Sequence, residues 1–203
     1  LPQANIVQVE DTLEALQAIA SWHRGRFHLP IIGITGSNGK TIVKEWLFQM
    51  LRSEERIVRS PGSWNSQVGV PLSVWQLGPE HTLGIFEAGI SKPGEMAALE
   101  RIIRPTIGVM THIGDAHDEG FGGDRARKEM EKRLLFEHAE IVIDAHSLNV
   151  IEQEVRGDGT SVIVRRGNDD HAFTIPFTDR ASVANALTCI AVCLHLGRSA
   201  QWI

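Results

Sequence analysis

A lysine and a hydroxyl stand side by side at Lys40 and Thr41, closing the glycine-punctuated stretch "GITGSNGKT" (33–41). An apolar run precedes the stretch and an amphipathic run, "IVKEWLFQML", follows it. Glycines at a strand-to-helix turn let backbone N–H groups come close to an anion, and the helix N-terminus adds the positive end of its dipole. Lys40 can then meet phosphate oxygens as a point charge, and the Thr41 hydroxyl can ligate Mg²⁺. Ser37 and Asn38 are small enough to keep the loop open. The common pattern G-x-x-x-x-G-K-[ST] would have Gly at position 34, where this chain has Ile34. The competing reading is a glycine turn with a chance Lys-Thr. The order strand, loop, helix favours nucleotide binding, without naming a reaction.

Other residues could serve such a loop. Glu87 ends the apolar run "TLGIFEAG" (82–89), and an acid at a strand's C-terminal end sits near the rim of an open α/β sheet. A solvated strand-end carboxylate is the alternative. Asn65, in "SPGSWNSQVGVP" (60–71), is either a site residue or a helix N-cap. Asn185 interrupts a long apolar helix, where an amide needs a real partner. Lys128 and Lys132 lie one helical turn apart on one face of "DRARKEMEKRLLFEHA" (124–139), where either could equally be solvated. His117 is a lone histidine in "GDAHDEGF" (114–121). Cys189 and Cys193, four apart in a helical pattern, read as reduced core thiols. Neither a "GxSxG" elbow nor a Cys/His quartet with zinc spacing occurs.

The elements that must carry these residues alternate. "LPIIGIT", "RIVRS", "TLGIFEAG", "TIGVMTHIG" and "EIVIDA" read as strands, and most are near-continuous apolar runs. Helices are expected over "DTLEALQAIASWH", "GKTIVKEWLFQMLRS", "NSQVGVPLSVWQL" with Pro71 in or just before its first turn, "KPGEMAALERII", "DRARKEMEKRLLFEHA", "SLNVIEQEV" and "RASVANALTCIAVCLHLG". "TSVIVRRG" and "HAFTIPF" read as a β pair joined by the polar loop "NDD". Such alternation predicts an α/β fold, a mostly parallel sheet with helices on both faces.

With 203 residues the chain suits one α/β domain, or one domain and a fragment. The formal net charge of −5 and the lack of a basic run argue against nucleic-acid binding. No apolar run approaches the roughly 18 residues of a membrane span, and the N-terminus lacks a secretory-signal pattern. With two core thiols, these features predict a cytoplasmic protein. The chain opens on a helix outside any complete strand–helix unit and stops soon after a long one, so a piece of a larger protein is expected.

Taken in order, "TGSNGKT", "SPGSWNSQVGVPLSV", "FEAGISKPGEM", "THIGDAHDEGF" and "RASVANALTCIAVCLHLG" resemble the Mur ligases, ATP-dependent amide-forming enzymes of peptidoglycan precursor synthesis. "NSQVGVP" and "DAHDEGF" are most similar to the branch that adds D-alanyl-D-alanine to UDP-N-acetylmuramoyl-tripeptide through an acyl phosphate. "GKTIVKEWL" is similar to the version fused to an alanine racemase. Sibling ligases of the superfamily, and a non-catalytic nucleotide-binding module, are the alternatives. The resemblance implies a P-loop central ATPase domain over 29–203, with 1–28 as the end and linker of an N-terminal domain, and N- and C-terminal domains outside this sequence. It implies that Gly36, Ser37, Asn38, Gly39, Lys40 and Thr41 hold the ATP phosphates and that Asn185 reads adenine. Thr41 and Glu87 would bind one Mg²⁺. His117 and a carbamylated Lys132, with Lys128 as competitor, would bind a second. Asn65 would stand near the γ-phosphate. Departures from the family pattern are His112, where relatives usually have Asn, and Ala181-Ser182 in place of His-Asn.

Overall fold

The computed structural model describes residues 5–114 and 118–203. Five parallel strands form its main sheet: β1 (Ile31–Thr35), β2 (Ile57–Arg59), β3 (Leu83–Glu87), β4 (Ile107–Met110) and β5 (Ile141–Ile143). Their spatial order is β2-β3-β1-β4-β5. The chain runs outward from β1 to β2, returns through β3, then crosses to β4 on the other side of β1. The strand order therefore reverses beside β1, and the loops leaving β1, β3 and β4 meet at one sheet end, where open α/β sheets bind ligands. Register fixes their closeness: Ile34 pairs with Glu87 across β1–β3, and Thr35 with Met110 across β1–β4.

Helices cover both faces, as the alternation predicts. α1 (Thr12–Arg24), α3 (Gly69–Val74) and α4 (Met96–Ile103) pack on one face, with a 3₁₀ turn at Leu134–Phe136. α2 (Lys40–Leu51) and α6 (Arg180–His195) pack on the other. The period-2 geometry of a strand divides β1 accordingly: Ile31 enters the first core, and Ile32 and Ile34 the second. Asp11 caps α1, its side chain accepting from Leu13 N and Glu14 N. α5 (Arg125–Arg133) starts at Asp124, whose carboxylate accepts from Arg127 N.

A second sheet corrects the sequence reading. "SLNVIEQEV" is not a helix; β6 (Val150–Arg156) pairs antiparallel with β7 (Gly159–Arg166), which pairs with β8 (Asp169–Ile175). Local propensity lost to hairpin formation at Arg156-Gly157-Asp158-Gly159, where Gly157 takes φ 63. The link between β7 and β8 is a tight turn at Gly167-Asn168, shorter than the loop expected. The inner face of β7 and β8 packs Val162, Val164, Phe173 and Ile175 against Val183, Leu187, Ile190 and Leu194 of α6. α6 is thus held between two sheets, which explains why its apolar residues form no single stripe. Cys189 and Cys193 are free and buried in it. Among the described residues no helix is long and apolar enough to cross a membrane.

Candidate phosphate and metal site

The loop between β1 and α2 is pinned from one side by the end of β4. Ser37 N and Asn38 N donate to the His112 carbonyl at 2.9 and 3.3 Å, and Ser37 Oγ donates to Gly114 O at 3.0 Å. Thr111 Oγ1 lies 2.7 Å from Asn38 O and 3.2 Å from Thr35 O. Two loop amides are therefore already engaged. Those that open α2, at Lys40, Thr41 and Ile42, have no intrahelical acceptor by the geometry of a helix start, and they are the ones an anion can take. Two glycines make this path possible. Gly36 has φ +148, and a Cβ there would stand 2.0 Å from Thr111 Oγ1. Gly39 has φ +89, and a Cβ there would stand 2.6 Å from Asn185 Oδ1. Asn185, nearly buried on α6, thus rests its amide on the loop.

Cations surround this loop. Lys40 Nζ curls back to Gly36 O at 2.8 Å and Ser37 O at 3.3 Å. Burial holds its pKa below the ordinary lysine value, while Glu87 pulls the other way. Lys132 reaches the same carbonyl, Gly36 O, at 3.2 Å. Lys128, one turn earlier on α5, donates to Gly114 O. Neither is a solvated surface lysine: Lys132 is 2% exposed and Lys128 0%. Burial first, then Lys40 and Lys128, lowers the Lys132 pKa from 10.5 to about 8. Glu131, between them, accepts from Gly94 N and Met96 N, fastening α5 to the start of α4.

Opposite the lysines stands one buried acid. Glu87 is 0% exposed, so it is not a solvated strand end. Its Oε2 accepts from Thr41 Oγ1 at 3.0 Å and from Asn65 Nδ2 at 3.4 Å. A hydroxyl and a carboxylate oxygen this close, beside the open amides of a helix start, form a hard-oxygen pair suited to Mg²⁺. Asn65 is not a helix cap. The N-cap position of α3 is Val68, and the neighbouring side chain Ser66 Oγ accepts from Gly69 N at the helix start. Asn65 instead ties its loop to β3, accepting from Gly89 N at 2.8 Å. A cleft of about 370 Å³ opens beside the pair, lined by Lys40, Lys132, Asn65, Gln67, Ser91 and Glu95.

The structure thus brings Lys40, Thr41, Asn65, Glu87, Lys132 and Asn185 around one loop. His117 lies outside the described residues. His112 contributes its carbonyl to the loop while its side chain is exposed. Sequence reading missed Lys44. It is fully buried, with Nζ 2.8 Å from Glu87 Oε1. The signal was present: positions 40, 44, 47 and 51 share a helix face, so a lysine occupies the apolar stripe of α2.

Comparison with known proteins accords with this geometry. The family profile described as Mur ligase middle domain matches residues 34–164. A UDP-N-acetylmuramoyl-tripeptide–D-alanyl-D-alanine ligase of Treponema pallidum is 34% identical, over 98% of this chain and 48% of its own length. Its counterpart in Synechocystis is 40% identical over 63% of this chain and 28% of its own. Among solved structures, MurF from Acinetobacter baumannii superposes with a TM-score of 0.85 at 24% identity, covering 97% of this chain and 49% of that one. MurF ligase from Thermotoga maritima in complex with ADP gives 0.83 at 22% identity, covering 98% and 53%. These two likenesses speak for the fold. The chain spans about half the length of the Treponema relative.

Proposed function

The chain belongs to the Mur ligase family through the middle domain, and from that premise we propose that it is the ATP-handling core of a ligase adding D-alanyl-D-alanine to UDP-N-acetylmuramoyl-tripeptide in peptidoglycan precursor synthesis. The curated relatives carry that activity in their names. Residues 29–203 form the central domain in this reading, and 1–28 the tail and linker of a preceding one. The compartment is the cytoplasm, where such nucleotide-linked precursors are made.

The observation that carries the reading is the Thr41–Glu87 pair at the start of α2, 3.0 Å apart beneath a cluster of lysines. Joining a carboxylate to an amine requires an activated carboxylate. Transfer of the ATP γ-phosphoryl group to it gives an acyl phosphate and ADP; the dipeptide amine then attacks the carbonyl carbon and phosphate leaves. The protein positions the reactants and neutralises charge, and no side-chain nucleophile is needed. The amides opening α2 and Lys40 take the terminal phosphates. Lys40 must let go of the Gly36 and Ser37 carbonyls to do so. Thr41 Oγ1 and Glu87 Oε2 would hold Mg²⁺, which when bound screens the charge between phosphoryl oxygens. Asn65 directs its amide NH₂ at the same carboxylate and lines the cleft where the substrate carboxylate would lie. Asn185 would meet the nucleotide from α6.

Lys132 has a separate role. With a pKa near 8 its amine is available to CO₂ at a pH where an ordinary lysine is not. A carbamate converts this cation into an oxygen ligand, which with His117 would hold a second Mg²⁺. It would also relieve the crowding of Lys40, Lys128 and Lys132. The test of the whole reading is phosphate release from Mg-ATP by the full-length enzyme containing this chain. Release should require the UDP-linked tripeptide and D-alanyl-D-alanine together. Release indifferent to the dipeptide amine would refute it.

A further inference from the structure

Lys44 is a fully buried cation in a position whose helical neighbours, Leu47 and Leu51, are apolar. An ammonium there carries a large desolvation cost that only well-placed acceptors offset. It has them: Ser60 O at 2.8 Å, Gly62 O, and Glu87 Oε1 at 2.8 Å. A fourth, Glu45 Oε1 at 3.1 Å, is itself held by Arg59. Glu87 Oε1 is buried without a hydrogen-bond partner among the described residues, and the Lys44 ammonium holds it as an ion pair.

We propose that Lys44 is a positioning residue that presents one oxygen of Glu87 to the metal–phosphate site and anchors the loop carrying Asn65. The terminal torsion of a glutamate is broad and roughly two-fold, so a buried carboxylate needs an external hold to keep one oxygen forward. Lys44 supplies it by taking Oε1, leaving Oε2 to Thr41 and Asn65. The same ammonium binds the 60–62 backbone. From there Ser60 Oγ accepts from Glu87 N at 3.1 Å, and the chain runs on to Asn65. The contacts close a circuit: α2 to the loop, the loop to β3, and Asn65 back to Glu87. Glu87 is thereby set as a ligand through one oxygen, and Asn65 moves with it.

This inference rests on the metal–nucleotide reading above, and the test separates the two. ADP affinity is measured by calorimetry on the full-length enzyme containing this chain, with Mg²⁺ and with EDTA, for wild type and Lys44→Met. The ratio of the two affinities reports the metal ligand, and a merely structural lysine would leave it unmoved. Wild type should show magnesium tightening ADP by about tenfold or more. Lys44→Met should reduce that tightening to about threefold or less, with metal-free affinity within about twofold of wild type. A full magnesium effect in Lys44→Met overturns the proposal alone. No magnesium effect in wild type overturns the site reading and this inference with it. If Lys44→Met does not fold, Lys44→Met/Glu87→Gln, which leaves no unpaired buried carboxylate, is compared with Glu87→Gln. Equal ratios support action through Glu87, and a further fall in the double variant overturns it.

Discussion

The Lys132 ammonium on α5 and the Gly36 carbonyl of the β1–α2 loop stand 3.2 Å apart, and Lys40 holds the same carbonyl at 2.8 Å. A buried and a half-buried ammonium group thus share one acceptor, with Lys128 a turn before Lys132. A triphosphate would bring negative charge to this cluster from one side, and a carbamate on Lys132 would bring it from within.

The crowding has a pH signature. Lys132 has a folded pKa of about 8 against 10.5 for an unperturbed lysine, chiefly through burial. Below pH 8 both folded and unfolded chains carry the proton, and the folded one does so at a cost. Between these values the unfolded chain binds the extra proton, so stability rises with pH. In nucleotide-free, CO₂-free buffer, the melting temperature of wild type relative to Lys132→Met should climb from pH 8 to 10. A flat difference would mean that the folded chain neither desolvates nor crowds the Lys132 amine.

The same lowered pKa predicts where CO₂ goes. With ¹³C-bicarbonate at pH 8, a carbamate carbonyl signal should appear in the ¹³C spectrum. It should vanish in Lys132→Arg and survive in Lys128→Arg. The reverse pattern would transfer the role to Lys128.

The glycine turn between β1 and α2 was legible because its pattern is local. Gly36, Gly39, Lys40 and Thr41 announce themselves by spacing within a few residues. The parallel sheet was legible too, since strands buried on both faces must be continuous apolar runs. Lys44 was not, because its partners Ser60, Gly62 and Glu87 come from other elements and only the fold joins them. Strand β6 was missed for a related reason. Its pattern suits a helix, and only pairing with β7 makes it a strand. The choice between Lys128 and Lys132 stayed open because both are buried on one helix face, a fact their charged neighbours conceal.

Gly36 should be the least tolerant position of the loop. An alanine there meets Thr111 Oγ1 at 2.0 Å and keeps a φ of +148 that side chains rarely adopt. Thr111 must leave Asn38 O and Thr35 O, and the loop loses the hold of that side chain. Gly36→Ala should lower stability by about 1–3 kcal/mol and abolish detectable nucleotide binding. Denaturant melts and nucleotide titration check both. Wild-type binding in this variant would show that the loop path does not matter.

Cys189 and Cys193 should be inert in the folded chain. Burial pushes both thiols up, Cys193 to about 12, so almost no thiolate exists at neutral pH. A thiol-reactive chromophore should label neither in native buffer and both in denaturant. Rapid labelling of the native chain would contradict the packing of α6 between the two sheets.

The central claim is that the start of α2 and Lys40 grip the terminal phosphates of a nucleotide, and calorimetric titration of Mg-ATP into wild type and Lys40→Ala tests it most directly. The account predicts saturable heat for wild type and an affinity lower by about tenfold or more for Lys40→Ala, the loss of a charge-assisted contact. Indistinguishable isotherms for the two proteins would contradict it.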